Sequence, residues 1–142
     1  MYEVYTDGSC LGNPGRGGWA VVSDKFVVCD NTSRTTNNIM EMTAVVKALE
    51  RCIDHHELRV RIYTDSNYVK NGITLWIHNW KKNGWKTSNG GDVKNKELWV
   101  KIDKLQEQMK EVEWKWVKAH NGNEKNEQVD TLARECAKKL SM

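Results

Sequence analysis

The sequence predicts an α/β fold in which helices cover the faces of a mixed β-sheet. Two observations predict it. Three strand-like segments come first, and strand and helix patterns then alternate, giving the order β-β-β-α-β-α-α-β-α, which is typical of a mixed sheet. The chain has 142 residues, one proline and no low-complexity stretch, so we expect a single domain over residues 1–142.

The first strand is predicted over residues 2–6, where β-forming residues alternate. We expect it to end at Asp7 and to lead into a glycine-rich loop that continues to Gly18. Two short apolar runs follow, over residues 19–22 and 26–29. Because only three polar residues join them, they predict a hairpin.

The clearest helix is predicted over residues 37–53, where apolar side chains recur at helical spacing after the capping candidates of residues 35–38. An alternating strand follows over residues 58–64 and again ends at an aspartate, Asp65. The remaining elements are a helix capped by Ser66 and continuing to about Gly72, an apolar stretch over 73–80, a helix over 97–109, a strand over 113–117, a loop over 118–126 and a helix over 127–140.

The net charge of +3 is unevenly distributed. Residues 81–96 contain five lysines and one aspartate, a net charge of +4, and the rest of the chain carries −1. Tryptophans lie among these lysines, and their ordinary explanation is core packing beside a solvated face. That explanation holds in part for Trp76 and Trp80, but because the whole positive excess lies in one segment, we also expect a surface that contacts the phosphates of a nucleic acid.

The cysteines and the apolar runs indicate where the protein works. The four cysteines are far apart and form no CxxC pair or zinc-ligand pattern, so we expect free thiols in a reducing compartment, with Cys52 and Cys136 in the core. The amino terminus does not resemble a signal peptide, and no apolar run approaches the roughly 20 residues that span a bilayer. These features predict a cytoplasmic protein that does not bind a membrane.

Two aspartates occur in the same context, Tyr-Thr-Asp followed by Gly or Ser, at Asp7 and Asp65. If their strands are neighbours, the carboxylates lie side by side, and each raises the pKa of the other unless a cation shares them. A hard cation such as Mg²⁺ would explain the pair. Turn formation or helix capping explains either aspartate alone, so both interpretations stay open for each residue.

Two further acids are predicted near the beginnings of helices. Glu41 lies one turn into a helix among apolar neighbours, and Asp130 lies in the first turn of the last helix. Taken singly, each is explained by a favourable interaction with the helix dipole. A metal site is therefore an interpretation of the four acids as a set.

These residues and their order resemble the type 1 ribonuclease H family, in the bacterial form that carries a basic protrusion. The matching segments cover nearly the whole chain in the family's order: residues 6–15, 34–38 with 40–41, 64–66, 72–73 with 76–82, 84–87, 93–95, 98–99, 116–118 with His120, and 126–127 with Asp130 and 132–134.

The resemblance implies a ribonuclease H-like fold, a five-stranded mixed β-sheet flanked by α-helices. It also implies an enzyme that cuts the RNA strand of RNA–DNA hybrids endonucleolytically, leaving 5′-phosphate and 3′-hydroxyl ends. Two Mg²⁺ ions, or Mn²⁺ in their place, would be held by Asp7, Glu41, Asp65 and Asp130, and His120 would assist proton transfer or product release. The residues implied to contact the substrate are Cys10, Asn13, Thr36, Asn37, Asn38, Asn67, Asn71, Trp76, Lys81, Lys82, Trp85 and Lys86.

The resemblance leaves room for variation. Asn67 replaces the glutamine usual in the bacterial form and reaches one methylene less, and Thr36 and Asn37 are also helix-capping candidates. We expect a monomer that binds a hybrid duplex without an obligate protein partner. The alternatives are a non-catalytic hybrid-binding module and a related metal nuclease of the same fold that acts on DNA.

Overall fold

The computed structural model describes residues 1–87, 89–117 and 124–139. A five-stranded sheet has the order β3-β2-β1-β4-β5. Its strands are β1 Tyr2–Leu11, β2 Gly15–Val22, β3 Val27–Thr35, β4 Arg59–Thr64 and β5 Glu111–Trp116. The first three strands pair antiparallel, while β4 runs parallel to both β1 and β5, so the predicted five-stranded mixed sheet is confirmed.

The helices in the described ranges are α1 Asn37–Asp54, α2 Asn67–Asn71, α3 Ile77–Lys82, α4 Lys96–Glu107 and α5 Glu124–Lys138, and a π-helical turn over Gly72–Trp76 joins α2 to α3. None of them is long and apolar enough to cross a membrane. The bounds of α1, β4, α4 and β5 lie within two residues of those predicted from the sequence.

The sheet has a core on each face because side chains alternate along its strands. On one face, Val4 and Ile62 pack with α1 and α4 around the fully buried Trp99. On the other face, Tyr5 and Ala20 pack with residues of α5. The sheet is therefore enclosed between α1 with α4 on one side and α5 on the other, as expected for this fold class.

The prediction of a glycine-rich loop over residues 7–18 is wrong. β1 continues to Leu11 and pairs with β2, so Asp7 lies inside a strand and not at its end. A Cβ on Gly8 would lie 2.4 Å from the backbone nitrogen of Glu41. Glycine within a strand marks a close approach of another backbone, and here that approach explains the composition better than a loop does.

The start of the last helix also differs from the prediction. α5 begins at Glu124, three residues before the predicted start, so Asp130 lies in its second turn and not in its first. The first turn carries Glu124 and Glu127. Acids at this end interact favourably with the helix dipole.

The expectation of four free thiols is wrong for two of them. Cys29 on β3 and Cys136 on α5 form a disulfide, with Cα atoms 6.4 Å apart and a sequence separation of 107. Cys10 and Cys52 are free, and Cys52 is buried in the core as predicted. Sequence spacing does not predict the bond because the two residues meet only where α5 crosses the sheet.

We expect Gly18→Ala to lower the free energy of unfolding. Gly18 lies in β2 beneath α5, and a Cβ there would lie 2.5 Å from both the carbonyl oxygen of Ala133 and the amide nitrogen of Ala137. Since both atoms belong to the helix backbone, α5 would have to move, at a cost of about 2 kcal/mol. Urea unfolding measures the change.

Gly91→Ala is the matched control for this substitution. Among the described residues, a Cβ at Gly91 would meet only the Thr87 hydroxyl, at 3.7 Å, so the stability of the variant should stay within about 0.5 kcal/mol of the wild type. Equal stability of Gly18→Ala and Gly91→Ala would contradict the close packing of α5 on β2.

Candidate metal centre

The register of two parallel strands brings the first pair of acids together. β1 and β4 place Tyr5 opposite Tyr63, and the two rings stack with centroids 4.2 Å apart. Each aspartate follows its tyrosine by two residues and therefore projects from the same face of the sheet. This register explains the repeated Tyr-Thr-Asp context and confirms that Asp7 and Asp65 lie side by side.

Glu41 reaches the same point from the other side of β1. Thr36 caps α1 by accepting a hydrogen bond from the amide of Ile39 at 3.2 Å, and Glu41 follows one turn later. Its Oε1 accepts a hydrogen bond from the backbone N–H of Gly8. The close approach that requires glycine at position 8 thus also fixes the glutamate side chain against the strand that carries Asp7.

Three of the predicted acids meet in one cluster. Asp7, Glu41 and Asp65 each offer a carboxylate oxygen, and these atoms lie within 4.8 Å of one another. Asp7 and Glu41 are only 4% and 8% exposed. Asp130 lines the same cleft from α5, where its Oδ2 lies 3.2 Å from the guanidinium of Arg134.

The cluster is electrostatically unfavourable without a cation. Burial raises the pKa of Asp7 to about 8, and the neighbouring charge of Asp65 adds to the effect. Burial also raises the pKa of Glu41 well above its usual range, followed by the charges of Asp7 and Asp65. A bound cation favours the charged carboxylates and would reverse these shifts.

The donor set fits a hard divalent cation. All three ligands are carboxylate oxygens, the donors that Mg²⁺, Mn²⁺ and Ca²⁺ take in proteins. Oxygens bound to one Mg²⁺ at roughly 2.1 Å lie at most about 4.2 Å apart, so small side-chain rotations would bring these three onto one ion. The cluster can therefore bind a metal that activates a water or a phosphate oxygen.

The acids lie in a cleft of about 570 Å³ whose lining is mostly polar. Predicted substrate residues share it, namely Cys10, Asn37, Asn38 and Asn67. Ser9, Ser66 and Tyr68 also line it, although the sequence patterns do not predict them as site residues. Of these, Ser66 had a signal in its position directly after Asp65, but its capping bond to Val69 at 3.1 Å explains the same pattern.

A larger cleft, of about 1040 Å³, lies between α1 and β3, away from the acid cluster. Its charged lining mixes Glu50 and Asp54 with Lys47 and Arg51. Size alone would favour this cleft as the site. The convergence of buried carboxylates favours the smaller one, because pKa values perturbed by burial and by like charges mark functional sites.

Two other predicted substrate residues do not line the acid cleft, but their side chains hold the beginning of α1. The Oδ1 of Asn13 accepts a hydrogen bond from the amide of Asn37 at 3.2 Å, which ties the β1–β2 turn to the beginning of α1. Thr36 is engaged as the cap of that helix. The capping role expected for Thr36 as an alternative is therefore present. His120 lies outside the described residues.

The other predicted substrate residues lie on or near the protrusion, by which we mean the basic segment over residues 81–96. Four aromatic rings form its base. Tyr68, Trp76, Trp80 and Trp99 pack with centroids 5.5 to 5.7 Å apart. The Tyr68 hydroxyl accepts hydrogen bonds from Asn95 at 3.1 Å and from Trp99 at 3.3 Å. These contacts fix the base of the protrusion to α2 and α4, while Trp76 stays 37% exposed.

Lysines of the basic segment over residues 81–96 form ion pairs with aspartates of the same chain. Lys81 lies 3.2 Å from Asp103, and Lys86 forms an ion pair with Asp92. Lys82 and Lys94 are exposed, and no carboxylate of the described residues lies within 4.0 Å of either. The lysines of the segment without an acidic partner among the described residues are therefore Lys82, a predicted substrate residue, and Lys94, which is not among those predicted.

Comparisons with known proteins give a consistent result. The model of the family described as RNase H matches residues 1–138. The Ribonuclease H of Neorickettsia sennetsu is 50% identical over 138 residues, a match that covers 94% of this chain and 90% of that protein. The Ribonuclease H of Ehrlichia chaffeensis is 53% identical over 135 residues, covering 92% of this chain and 90% of that protein.

A solved structure agrees with the fold. The crystal structure of LC9-RNase H1, described as a type 1 RNase H with the type 2 active-site motif, superposes with a TM-score of 0.80 at 35% sequence identity. The match covers 95% of this chain and 71% of that one.

The raised pKa values lead to a stability prediction for the metal-free protein. Asp7 and Glu41 bind protons more tightly in the folded state than in the unfolded state. The stability that this proton binding contributes is therefore complete below about pH 4. It is lost as the pH rises through the folded-state pKa of Asp7, which is about 8. Asp7→Asn removes one of these acids. Near pH 8 we expect the metal-free variant to be more stable than the wild type by at least about 1.4 kcal/mol, the free energy of one pKa unit.

Urea unfolding in the presence of a chelator measures this difference, which should grow between about pH 4 and about pH 8. Glu135→Gln, exposed on α5, is the control and should show no such growth. Added Mg²⁺ should stabilise the wild type more than Asp7→Asn. A difference that does not change with pH would contradict the account of buried, mutually repelling carboxylates.

Proposed function

The chain belongs to the ribonuclease H family, and on that premise we propose that the acid cleft is its active site and binds two divalent cations. The family's reaction is the metal-dependent hydrolysis of the RNA strand of RNA–DNA hybrids, and this chain is an enzyme of that class. The observation that carries the proposal is the convergence of the Asp7, Glu41 and Asp65 oxygens within 4.8 Å.

Phosphodiester hydrolysis needs a nucleophilic water on one side of phosphorus and charge stabilisation of the leaving 3′-oxygen on the other. Two bound cations would supply both. We assign Asp7, Glu41, Asp65 and Asp130 to hold them, with Mg²⁺ as the natural ion and Mn²⁺ as a substitute. The expected products carry 5′-phosphate and 3′-hydroxyl ends.

The chain's own groups keep these ligands in position. The N–H of Gly8 holds one oxygen of Glu41, and the guanidinium of Arg134 holds Asp130 at the side of the cleft. His120 is proposed to transfer a proton at the leaving oxygen or to assist product release, since histidine titrates near neutral pH. Its removal would slow turnover without abolishing it.

The cleft also offers the groups that recognise RNA. Asn38 and Asn67 line it beside Cys10, and side-chain amides both donate and accept hydrogen bonds. We propose that they contact 2′-hydroxyls in the shallow minor groove, the feature that distinguishes RNA from DNA. Thr36 and Asn37 are proposed to hold a phosphate of the DNA strand in addition to their structural roles.

The protrusion is proposed to hold the DNA strand. Asn71, Trp76 and Trp85 lie on or near its base, and its lysines carry the chain's positive excess. Phosphate contacts fix the position of a duplex without reading its sequence, as a hybrid-specific nuclease requires. We further propose that residues 1–142 act as one catalytic domain, as a monomer in the cytoplasm and without a membrane or an obligate protein partner.

We expect Asp65→Asn to lose nearly all Mg²⁺-dependent cleavage. The amide keeps the shape of the side chain but removes a charged ligand. Loss of a group that merely orients a ligand costs about 10–100-fold, so loss of the ligand itself should cost more than about 100-fold in kcat. Asp24→Asn, on the exposed β2–β3 turn, is the control and should keep full activity.

The same assay separates the alternatives. Wild-type protein is incubated with Mg²⁺ and, in parallel, with RNA–DNA hybrid, duplex RNA, duplex DNA and branched DNA. Cleavage of the RNA strand of the hybrid alone supports the proposal. Cleavage of DNA would indicate a related nuclease, and binding of the hybrid without cleavage would indicate a non-catalytic module.

The ion pairs of the protrusion allow a comparison of single lysines. Lys82→Gln should raise KM for the hybrid and reduce by about 1 the slope of log binding constant against log salt, with kcat unchanged. Lys81→Gln should have a smaller effect, because Asp103 already neutralises part of its charge. Equal effects of the two substitutions on KM and on the salt slope would contradict this assignment.

A further inference from the structure

Asp65 differs from the other clustered acids in how its backbone is held. Asp7 lies within β1 and Glu41 within α1, whereas Asp65 lies in the two-residue link between β4 and α2. Its neighbour Thr64 is fixed by two bonds: its carbonyl accepts from the amide of Val117 at 2.9 Å, and its hydroxyl accepts from the amide of Ser66 at 3.1 Å. The carbonyl of Asp65 itself accepts a bond from a side chain.

That side chain is Trp116, the last residue of β5. It lies opposite Thr64 in the parallel register, and its indole Nε1–H donates to the Asp65 carbonyl oxygen at 3.2 Å. Trp116 is 41% exposed, so burial of its ring is a weak reason for a large aromatic residue at this position. The hydrogen bond to Asp65 accounts for it better.

Lys70 braces the indole from the other element that meets Asp65. It lies on α2, the helix that begins directly after the Asp65–Ser66 link, and its Nζ is 5.2 Å from the centroid of the Trp116 ring. An ammonium over an indole face is a favourable contact. Trp116 is thus tied both to the backbone of Asp65 and to the helix that Asp65 precedes.

We propose that Trp116, braced by Lys70, is a positioning residue that sets where the Asp65 carboxylate lies relative to Asp7 and Glu41. The inference rests on the proposed function of the cluster. Ligands of a catalytic metal must be held within about 0.5 Å of their working geometry. The indole N–H supplies this restraint at the one clustered acid that no regular element contains.

The role predicts a specific pattern of defects. Neither Trp116 nor Lys70 lines the acid cleft, so losing the N–H should weaken metal binding and leave the affinity for the hybrid nearly unchanged. A purely structural role would instead lower stability and affect both affinities together. Metal affinity of the free protein is therefore the decisive measurement, with kinetics as the second.

Trp116→Phe is the test variant, because it removes the N–H and keeps an aromatic face for Lys70. Trp114→Phe is the matched control: Trp114 lies two residues earlier on the same strand and face, and its Nε1 donates to Gln106 at 3.0 Å. Both substitutions make the same chemical change, but only one of the two indoles contacts Asp65.

Mg²⁺ binding to the free protein is measured by calorimetry, and kcat and KM for the hybrid are measured across a range of Mg²⁺ concentrations. Trp116→Phe should raise the Kd for Mg²⁺ and the half-saturating Mg²⁺ concentration about fivefold, the effect of losing one net hydrogen bond. KM for the hybrid should stay within about twofold, as all parameters of Trp114→Phe should. Lys70→Met should shift Mg²⁺ affinity in the same direction by a smaller factor.

Trp116→His is the rescue variant, because its Nε2 occupies the ring position of the indole Nε1 and can donate the same bond. It should recover part of the Mg²⁺ affinity, and it carries the test if Trp116→Phe does not fold. Equal Mg²⁺ affinity in Trp116→Phe and Trp114→Phe, or a rise confined to KM, would overturn the inference. Failure of the wild type to bind Mg²⁺ or to cleave the hybrid would overturn the proposed function instead.

Discussion

The parallel pairing of β1 with β4 is the constraint on which the acid cleft depends. Its register stacks Tyr5 on Tyr63, and Asp7 and Asp65, two residues after these tyrosines, therefore lie side by side. Helices bring the other two acids of the cleft to this pair. α1 packs closely on Gly8 and places Glu41 in the cleft. α5 packs closely on Gly18 and places Asp130 there.

This arrangement opposes the stability of the metal-free protein. Like charges meet in a place that is largely removed from water, and the raised pKa values of Asp7 and Glu41 express that cost. The cores on the two faces of the sheet offset it, with Trp99 fully buried on one side and Val129 on the other. The acid cluster lowers the free energy of unfolding of the metal-free protein. Such a loss of stability is common where a protein holds functional groups close together.

Sequence periodicity predicts the elements but only part of the site. Apolar spacing placed α1 and α4 correctly, and alternation placed β4, because burial on one face imposes these patterns. The loop predicted over residues 7–18 is wrong because glycine is also common in loops. Gly8 is a glycine for another reason, the close approach of the Glu41 backbone. The Cys29–Cys136 bond and the pairing of Lys81 with Asp103 depend on contacts between distant elements, which local patterns do not record. The hydrogen bond from Trp116 to Asp65 belongs to the same class.

The aromatic base of the protrusion has a consequence for the length of duplex that the protein can hold. Tyr68 both lines the acid cleft and accepts hydrogen bonds from Trp99 and Asn95 at the base of the protrusion, so one side chain links the cleft to the protrusion. Under the proposed function, the point of grip and the point of scission then lie a set number of base pairs apart. A hybrid shorter than that distance would be held at one end only, and the position of the cut would depend on where the DNA strand is bound.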